Sequence, residues 1–389
     1  MFLPMPLAMP AQSLLKRVFL LLALTTGFTA GARPWPDRVF APYMYLGSGD
    51  AFKITQCHQL TGQAYYTLAF IIADPQNHPA WDGRFDMEKD VYASEIQGIR
   101  RQGGDVIVSF GGADGREIAR VETNAAALMS AYQTVINRYH LTWLDFDIEG
   151  KALKESGINE LRNTVLARLQ IKNPGLRISY TLPVDPHGIP KSGLNLLADA
   201  QAKGVKVYSA NVMTMDYDPG YLRGKTMANV SIASALKARE QCQAIDPAIR
   251  IGLTPMIGQN DEKSEIFTQQ NARELLAWAQ TQPWVASLSF WSSNRDAGKS
   301  VGPPTGNTSS GITQKPWEFT LILKPFTTGR PRTVPTAPTG GDRPGLGHSH
   351  SPACASSSPP PPCSAAETTP YPPRTYPPPP VHIRPPCHS

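Results

Sequence analysis

Between residues 39 and 326 the chain alternates short runs of β-branched and aromatic residues with longer stretches in which apolar residues recur at helical spacing. The short runs predict strands and the longer ones amphipathic helices. Strands that alternate with helices favour parallel βα units. The predicted strands are Val39–Leu46, Tyr66–Ile72, Asp105–Gly111, Leu141–Ile148, Leu176–Leu182, Lys206–Met215, Ile251–Met256 and Val285–Trp291. The predicted helices include Val91–Gln102, Ala125–Tyr139, Ala152–Ile171, Ile232–Ala244 and Glu265–Gln280.

Eight such strands within fewer than three hundred residues are typical of an α/β protein of the (β/α)8 or TIM-barrel type. A doubly wound open sheet is the alternative, but no glycine-rich dinucleotide fingerprint follows the first strand. We therefore predict a single (β/α)8 barrel domain over residues 33–326.

The two ends of the chain differ from this middle part. Lys16 and Arg17 precede the apolar run Val18–Leu24, and small residues follow up to Ala32. This order is typical of a secretory signal peptide over residues 1–32, cleaved after Ala32. An uncleaved membrane anchor is the alternative, although the run is short for a membrane span. We expect a secreted protein, extracellular or periplasmic.

Residues 327–389 are dominated by proline, serine, threonine and glycine. Such a composition cannot bury enough apolar surface to offset the loss of chain entropy, so a disordered tail is predicted. The tail also holds three of the five cysteines; Cys57 and Cys242 lie in the predicted barrel, either bridged or as free thiols. The net charge of +6 comes from scattered basic residues, which argues against a nucleic-acid partner.

Candidate chemistry is concentrated in the segment 144–150, Leu-Asp-Phe-Asp-Ile-Glu-Gly. On a strand, Asp145, Asp147 and Glu149 would point to one face. Stacked acids raise one another's pKa, a cost that chains accept mainly where a protonated acid must stand beside an ionised one. A divalent-metal site or a solvated strand edge would be the alternatives. No histidine cluster or Cys-x-x-Cys spacing accompanies the acids, so we expect neither a metal nor a cofactor.

Other suggestive residues also close predicted strands. Ser109–Gly112 ends the third strand, Met215–Asp218 the sixth, and Trp291 the eighth. In a (β/α)8 barrel, catalytic groups lie at the C-terminal ends of the strands. Each motif alone is weak, but their joint order along the eight-strand pattern predicts one shared site.

Together these motifs resemble glycoside hydrolase family 18, the chitinase family. Its signature Asp-x-x-Asp-x-Asp-x-Glu is matched at Asp145, Asp147 and Glu149, with Thr142 in place of the first acid. The residues that match its other motifs are Ser109–Gly112 for Ser-x-Gly-Gly, Met215-Asp216-Tyr217-Asp218 for Met-x-Tyr-Asp, and Trp291 for the final-strand tryptophan. The segments Leu253–Asp261 and Ser289–Asp296 are similar to secreted bacterial chitinases in particular. The resemblance spans roughly residues 38–325.

The resemblance implies a retaining mechanism in which the substrate's own 2-acetamido group is the nucleophile. Glu149 would be the general acid, protonating the glycosidic oxygen and later activating water. Asp147 would hold the acetamido N–H, and Asp145 would share charge and a proton with it. Tyr217 would donate to the acetamido carbonyl.

Substrate-binding roles follow from the same resemblance. Trp291 would form an apolar floor beneath the sugar. The family's strand-end acid aligns with Asp218, although Asp216 remains possible. The further candidates are Met215, Ser109, Gln259 with its neighbour Asn260, and Tyr43, which would either support Asp145 or simply fill the barrel. The implied partners are chitin or N-acetylglucosamine oligosaccharides, bound by a monomer.

The chain departs from the family pattern at two adjacent positions. Thr142 replaces the first acid, and Trp143 replaces a small residue. We expect activity to survive, with a shifted pH profile. An endo-β-N-acetylglucosaminidase and a lectin-like barrel without catalysis are alternatives, but such lectins typically lack the terminal Glu that is present here as Glu149. A surface-adhesive protein would rest on the proline-rich tail alone.

Overall fold

The computed structural model describes residues 35–47, 54–84, 87, 92–113, 116–297 and 308–328. The strands are β1 Val39–Phe40, β2 Tyr43–Tyr45, β3 Tyr65–Ala73, β4 Pro79–Trp81, β5 Asp105–Gly111, β6 Trp143–Asp147, β7 Arg177–Pro183, β8 Val207–Met213, β9 Arg250–Thr254, β10 Gly258–Gln259, β11 Ile266–Phe267 and β12 Val285–Leu288. The helices are α1 Ile54–Thr61, α2 Tyr92–Arg101, α3 Ile118–Val121, α4 Ala125–Tyr139, α5 Ser156–Lys172, α6 Lys191–Ala202, α7 Met227–Ile245, α8 Gln269–Thr281, α9 Ser293–Asp296, α10 Glu318–Leu323 and α11 Pro325–Thr328.

The main sheet is parallel and runs in the order β1-β12-β9-β8-β7-β6-β5-β3-β2, with β4 added antiparallel to β3. β1 and β2 are two halves of one strand, interrupted at Pro42, which has no N–H to give to a ladder. β1 pairs with the last strand and β2 with the second, so the sheet closes on itself. The predicted (β/α)8 barrel is thereby confirmed, with β6 as its fourth strand.

Several boundaries differ from the sequence-based prediction. The helix expected to start at Glu265 starts at Gln269, because Thr268 and Asn271 form a reciprocal capping box there. Glu265 instead precedes β11, which pairs with β10 in a small hairpin after the seventh barrel strand. Helices α1 and α6, which no prediction covered, complete the outer layer.

Alternate residues of β6 serve two different environments. Leu144 and Phe146 point outward into the layer between barrel and helices, where Phe146 stacks on Phe110 with ring centroids 5.2 Å apart. Truncating a fully buried Phe of this kind costs about 3–5 kcal/mol. The alternate residues 143, 145 and 147 therefore face the barrel interior.

The N-terminal end of the barrel is closed by an aromatic floor, comprising Trp35, Tyr65, Trp143 and Tyr208. Trp143 packs edge-on against Trp35 at 5.1 Å and Tyr208 at 4.7 Å between ring centroids. The guanidinium of Arg177 lies 4.3 Å from the Tyr208 ring centroid, a cation–π contact. Trp35 Nε1 donates to Thr142 Oγ1 at 2.9 Å. Both departures from the family signature therefore belong to this floor.

The predicted signal peptide lies outside the described residues, as do positions 329–389 of the predicted tail. The barrel continues slightly beyond the predicted boundary at 326, because Thr327 Oγ1 accepts a hydrogen bond from Phe40 N at 2.8 Å. Cys57 and Cys242 are buried free thiols rather than a bridge. Among the described helices none is long and apolar enough to cross a membrane.

Candidate active site

The three acids of the fourth barrel strand form a gradient of burial toward the C-terminal end of the barrel. Asp145 is 2% exposed and Asp147 6%, whereas Glu149, just past the end of β6, is partly exposed. Asp145 lies between Ser109 and Ser179 on the neighbouring strands, and Asp147 lies between Gly111 and Thr181. The strand thus presents two sheltered acids beneath one that solvent can reach.

Asp145 is surrounded by hydroxyl groups. Its Oδ1 accepts from Ser179 Oγ at 2.7 Å and Thr181 Oγ1 at 2.9 Å. Its Oδ2 accepts from Ser109 Oγ at 2.7 Å and Tyr43 OH at 2.9 Å. Burial raises the pKa of Asp145, and these hydrogen bonds oppose that rise because they stabilise the carboxylate.

Asp147 has a different environment. Its Oδ1 is buried and has no hydrogen-bond partner among the described residues. Burial, then repulsion from Glu149, then repulsion from Asp145 raise the pKa of Asp147 well above its usual value. Of the two buried acids, Asp147 is therefore the one that is protonated more readily, which leaves the negative charge on Asp145.

The glycines of the Ser-x-Gly-Gly motif allow close approach around these acids. Gly111 has φ +98°, and a Cβ there would lie 2.2 Å from Asp147 O. Gly112 has φ +89°, and a Cβ there would lie 2.7 Å from the Phe70 ring. A larger residue at either position would displace the end of β6 or that ring. Ser109, predicted as a substrate contact, is 0% exposed and donates to Asp145.

An aromatic wall stands beside the acids. Trp291 stacks on Phe70 with ring centroids 5.8 Å apart and 14° between the planes. The rings of Tyr43 and Tyr45 lie 6.0 Å and 5.8 Å from the same indole. Asn294 holds Tyr45 through both backbone groups, at 2.9 Å each. Trp291 is partly exposed, so it offers a flat apolar surface at the mouth of the barrel.

At the end of the sixth barrel strand, the structure distinguishes the two candidate acids. Asp218 is exposed, and its carboxylate caps a short turn by accepting from Gly220 N at 2.8 Å. Asp216 is partly buried, and its Oδ1 accepts from Glu262 N at 3.0 Å, which ties it to the segment between β10 and β11. Asp216 is therefore the more sheltered of the two acids and lies against the hairpin of β10 and β11. Met215 beside it is partly exposed.

Tyr217 lies elsewhere than expected. Its side chain is 4% exposed, and its hydroxyl lies near those of Thr214, Ser231 and Ser234, without hydrogen-bond geometry to any of them. Ser231 and Ser234 belong to α7 on the outside of the barrel. The tyrosine thus packs between strand and helix, and the structure does not bring its hydroxyl to the acids.

The predicted polar loop residues Gln259 and Asn260 shape the hairpin of β10 and β11. Gln259 Nε2 donates to Lys263 O at 2.8 Å and Glu265 O at 3.0 Å. Asn260 is 2% exposed and donates to Met256 O at 2.9 Å. Glu265 Oε1 in turn accepts from Tyr217 N at 2.6 Å, and burial raises the pKa of Glu265 to about 8. These contacts fix the hairpin against the end of β8.

Solved structures similar to this one include the catalytic domain of a hyperthermophilic chitinase from Pyrococcus furiosus. This chain is 34% identical to it, with a TM-score of 0.68, and the match covers 78% of this chain and 99% of that one. Catalytic-site mutants of active domain 2 of a thermostable chitinase from the same organism, complexed with chito-oligosaccharides, match with 34% identity and a TM-score of 0.67 over 76% and 97% of the two chains. The chain belongs to the family 18 chitinases.

Curated relatives agree with this family. A probable bifunctional chitinase/lysozyme of Escherichia coli is 32% identical over 76% of this chain, and endochitinase 11 of Metarhizium anisopliae is 31% identical over 68%. The match spans 35% of the bacterial relative and 53% of the fungal one, so this chain corresponds to only part of each. No protein-family model matches the chain.

Residues that the sequence analysis missed complete the family 18 site. Ser179 and Thr181 alternate on β7 as the acids do on β6, and that spacing of two was a readable signal. Phe70 and Asn294 gave no such signal, because their roles depend on contacts across the barrel mouth. Among the described residues, no group of three or more histidine, cysteine, aspartate or glutamate side chains is arranged to hold a metal ion.

Proposed function

We propose that the protein is a secreted chitinase that hydrolyses β-1,4-linked N-acetylglucosamine polymers with retention of configuration, the substrate's acetamido group acting as nucleophile. The observation that carries this proposal is the buried Oδ1 of Asp147, which has no partner in the part of the chain that the structure describes and is set between the anchored Asp145 and the accessible Glu149. A buried oxygen without a partner is costly. An N–H from a bound acetamido group would satisfy it.

The three acids then take separate roles. Glu149, the accessible one, protonates the glycosidic oxygen and later activates water. Asp147 turns its free oxygen to the acetamido N–H and so holds the carbonyl oxygen near the anomeric carbon. Asp145 carries negative charge that the oxazolinium-like intermediate partly neutralises. No step requires a metal ion or cofactor.

The rest of the site supports binding of the sugar. The apolar face of a pyranose would pack on Trp291, whose orientation Phe70 fixes by stacking. Asp216 is the strand-end acid that we assign to the substrate, in place of Asp218. We assign no substrate contact to Tyr217. The choice of N-acetylglucosamine oligomers is supported by the chito-oligosaccharides complexed with the catalytic-site mutants of the related Pyrococcus chitinase.

Export through residues 1–32 and action as a monomer are parts of the same proposal. The basic start, apolar run and small-residue end of that segment support export. Expression of the full chain with cell fractionation and N-terminal sequencing checks it, since the mature protein should begin after Ala32.

Glu149→Gln tests the assignment of the acid. Gln keeps the size of Glu but cannot donate a proton to the leaving oxygen. We expect kcat on a chromogenic chitobioside to fall by about 10²–10⁴-fold, the usual contribution of general acid–base catalysis. Binding of chito-oligosaccharides, followed by calorimetry, should persist. Glu240→Gln, an exposed glutamate on α7 that pairs with Lys237, is the matched control. Full activity in Glu149→Gln would falsify the role.

A further inference from the structure

Two N–H groups donate hydrogen bonds to hydroxyls that in turn contact Asp145. Trp143 Nε1 donates to Ser179 Oγ at 3.1 Å, and Asn211 Nδ2 donates to Thr181 Oγ1 at 2.9 Å. Trp143 is 1% exposed and Asn211 7%. Both donors are therefore buried, and in the interior of a protein the direction of each hydrogen bond has a large effect on charge.

Neither donor can readily reverse its direction. An indole N–H donates and never accepts. The amide of Asn211 is oriented by Thr254, whose hydroxyl donates to Asn211 Oδ1 at 3.0 Å and so turns Nδ2 toward Thr181. A hydroxyl that accepts such a bond still has one proton of its own to give.

The geometry indicates where those protons go. Ser179 Oγ lies 2.7 Å from Asp145 Oδ1 but 3.5 Å from its other acceptor, Leu144 O. Thr181 Oγ1 lies 2.9 Å and 3.0 Å from the two oxygens of Asp145, and 2.8 Å from Tyr43 OH, which itself donates to Asp145 Oδ2. Because an ionised carboxylate is a stronger acceptor than a phenol oxygen, both hydroxyls are set to donate to Asp145.

Two more hydroxyls complete the set. Ser109 and Tyr43 donate to Asp145 Oδ2, and burial followed by the charges of Asp145 and Asp147 raises the pKa of Tyr43, so its proton stays in place. A carboxylate has about four lone-pair positions. A proton on Asp145 would have to displace one of these four donors, whereas Asp147 Oδ1 has no partner among the described residues to lose.

We propose that Trp143 and Asn211 are positioning residues that act through Ser179 and Thr181 to fix Asp145 as the anion of the Asp145–Asp147 pair. The unusual tryptophan in the family signature then has two functions, one in the floor and one in the charge pattern of the acids. The effect of these residues on catalysis rests on the proposed function, whereas the assignment of the negative charge to Asp145 does not.

The titratable groups that face Asp145 are few. They are Tyr43 on the first barrel strand and Asp147 on its own strand, and Glu149 acts in turn on Asp147. The contacts from the third and fifth strands are serine and threonine hydroxyls, which do not ionise near neutral pH. A change in the titration of Asp145 on losing a donor would therefore report on the hydrogen-bond relay.

The test is the ¹³C-carboxyl NMR titration of the full chain labelled in aspartate, with signals assigned through Asp145→Asn and Asp147→Asn. Trp143→Phe keeps an aromatic ring but removes the N–H. Trp35→Phe is the matched control, because it removes a neighbouring indole N–H that donates to Thr142 instead. Losing a donor behind Ser179 weakens the bonds to the carboxylate form, so Trp143→Phe should raise the pKa of Asp145 by about 0.3–1 unit. Trp35→Phe should leave the pKa of Asp145 unchanged.

Asn211→Leu provides a second, independent variant and carries the decision if Trp143→Phe does not fold. Asn211→Leu should also raise the pKa of Asp145. Unchanged titration of Asp145 in the folded variants would overturn the proposal, as would an equal shift in Trp35→Phe.

A second readout is the pH profile of kcat/KM on the chitobioside. Its acid limb should move to higher pH in Trp143→Phe, with kcat changing more than KM, and an unmoved limb would overturn the proposal. A wild-type protein without hydrolysis would refute the proposed function, while the NMR titration would still decide the charge assignment.

Discussion

The two ends of β6 carry opposite kinds of chemistry. At the N-terminal end, Thr142 and Trp143 bind Trp35 and pack into an aromatic floor. At the C-terminal end, Asp147 keeps a buried oxygen that has no partner among the described residues, beside a second buried acid. At the first end an indole N–H and a hydroxyl are hydrogen-bonded to each other, whereas the second end concentrates unfavourable charge. A single five-residue strand thus contributes stability at one end and a reactive site at the other, as (β/α)8 barrels generally do.

The difference between the two ends of β6 explains the departures from the family signature. The position of the missing first acid lies at the floor, where Thr142 serves as an acceptor for an indole. The reacting groups lie at the opposite end and are intact. We therefore attribute the change at Thr142 to the structure of the floor rather than to the cleavage step.

Among the variants that test the two ends of β6, the largest effect is expected from Asp147→Asn. An asparagine cannot take up or release the proton of Asp147, so kcat/KM on a chromogenic chitobioside should fall by about 10²–10³-fold. Asp37→Asn is the control at the floor end: Asp37 is exposed and pairs with Arg250 at 3.0 Å. Such surface pairs contribute little. A comparable loss in both variants would remove the distinction between the two ends.

Asp147→Asn should also be more stable than the wild-type protein at neutral pH. The pKa of Asp147 is raised in the folded state, so the folded protein binds more protons than the unfolded chain once the pH exceeds about 4. Stability is therefore lost as pH rises from there toward the folded pKa. The melting temperature of Asp147→Asn relative to wild type should increase between pH 4 and pH 7. If this difference in melting temperature stays the same between pH 4 and pH 7, the ionised form of Asp147 does not destabilise the folded protein.

Trp35→Ala should have the reverse profile, losing stability but keeping activity. It removes a half-buried ring and the hydrogen bond to Thr142, for a cost of about 1–3 kcal/mol. At about 2–4 °C per kcal/mol for a domain of this size, the melting temperature should fall measurably in calorimetry. The kcat/KM of the folded variant should remain within about twofold of wild type. A drop in kcat/KM without a drop in melting temperature would place the floor within the catalytic machinery.

The smallest effect is expected on removing the tail. A chain ending after Thr328 retains the contact between Thr327 and Phe40. Its turnover of soluble chito-oligosaccharides should match that of the full chain. Cutting before Thr327 should instead lower the melting temperature. Loss of turnover in the version that ends after Thr328 would mean that the catalytic domain extends past Thr328.

The regular parts of the molecule were accessible from sequence because they depend on local pattern. The eight-strand alternation and the spacing of Asp145, Asp147 and Glu149 follow from the strand period of two. The exceptions depend on tertiary contacts. Asp216 differs from Asp218 through a bond to Glu262, and Tyr217, which follows a residue with positive φ, packs near Ser231 and Ser234 of α7. The role of Trp143 required knowing that Ser179 lies on the adjacent strand.

The stereochemistry of the product tests the proposed chemistry most directly. Proton NMR during early hydrolysis of an N-acetylglucosamine hexamer distinguishes the anomers before they equilibrate. Attack by the acetamido group held at Asp147, followed by water activated by Glu149, predicts that the β-anomer forms first. Initial formation of the α-anomer would mean direct displacement by water and would contradict the roles assigned to both acids.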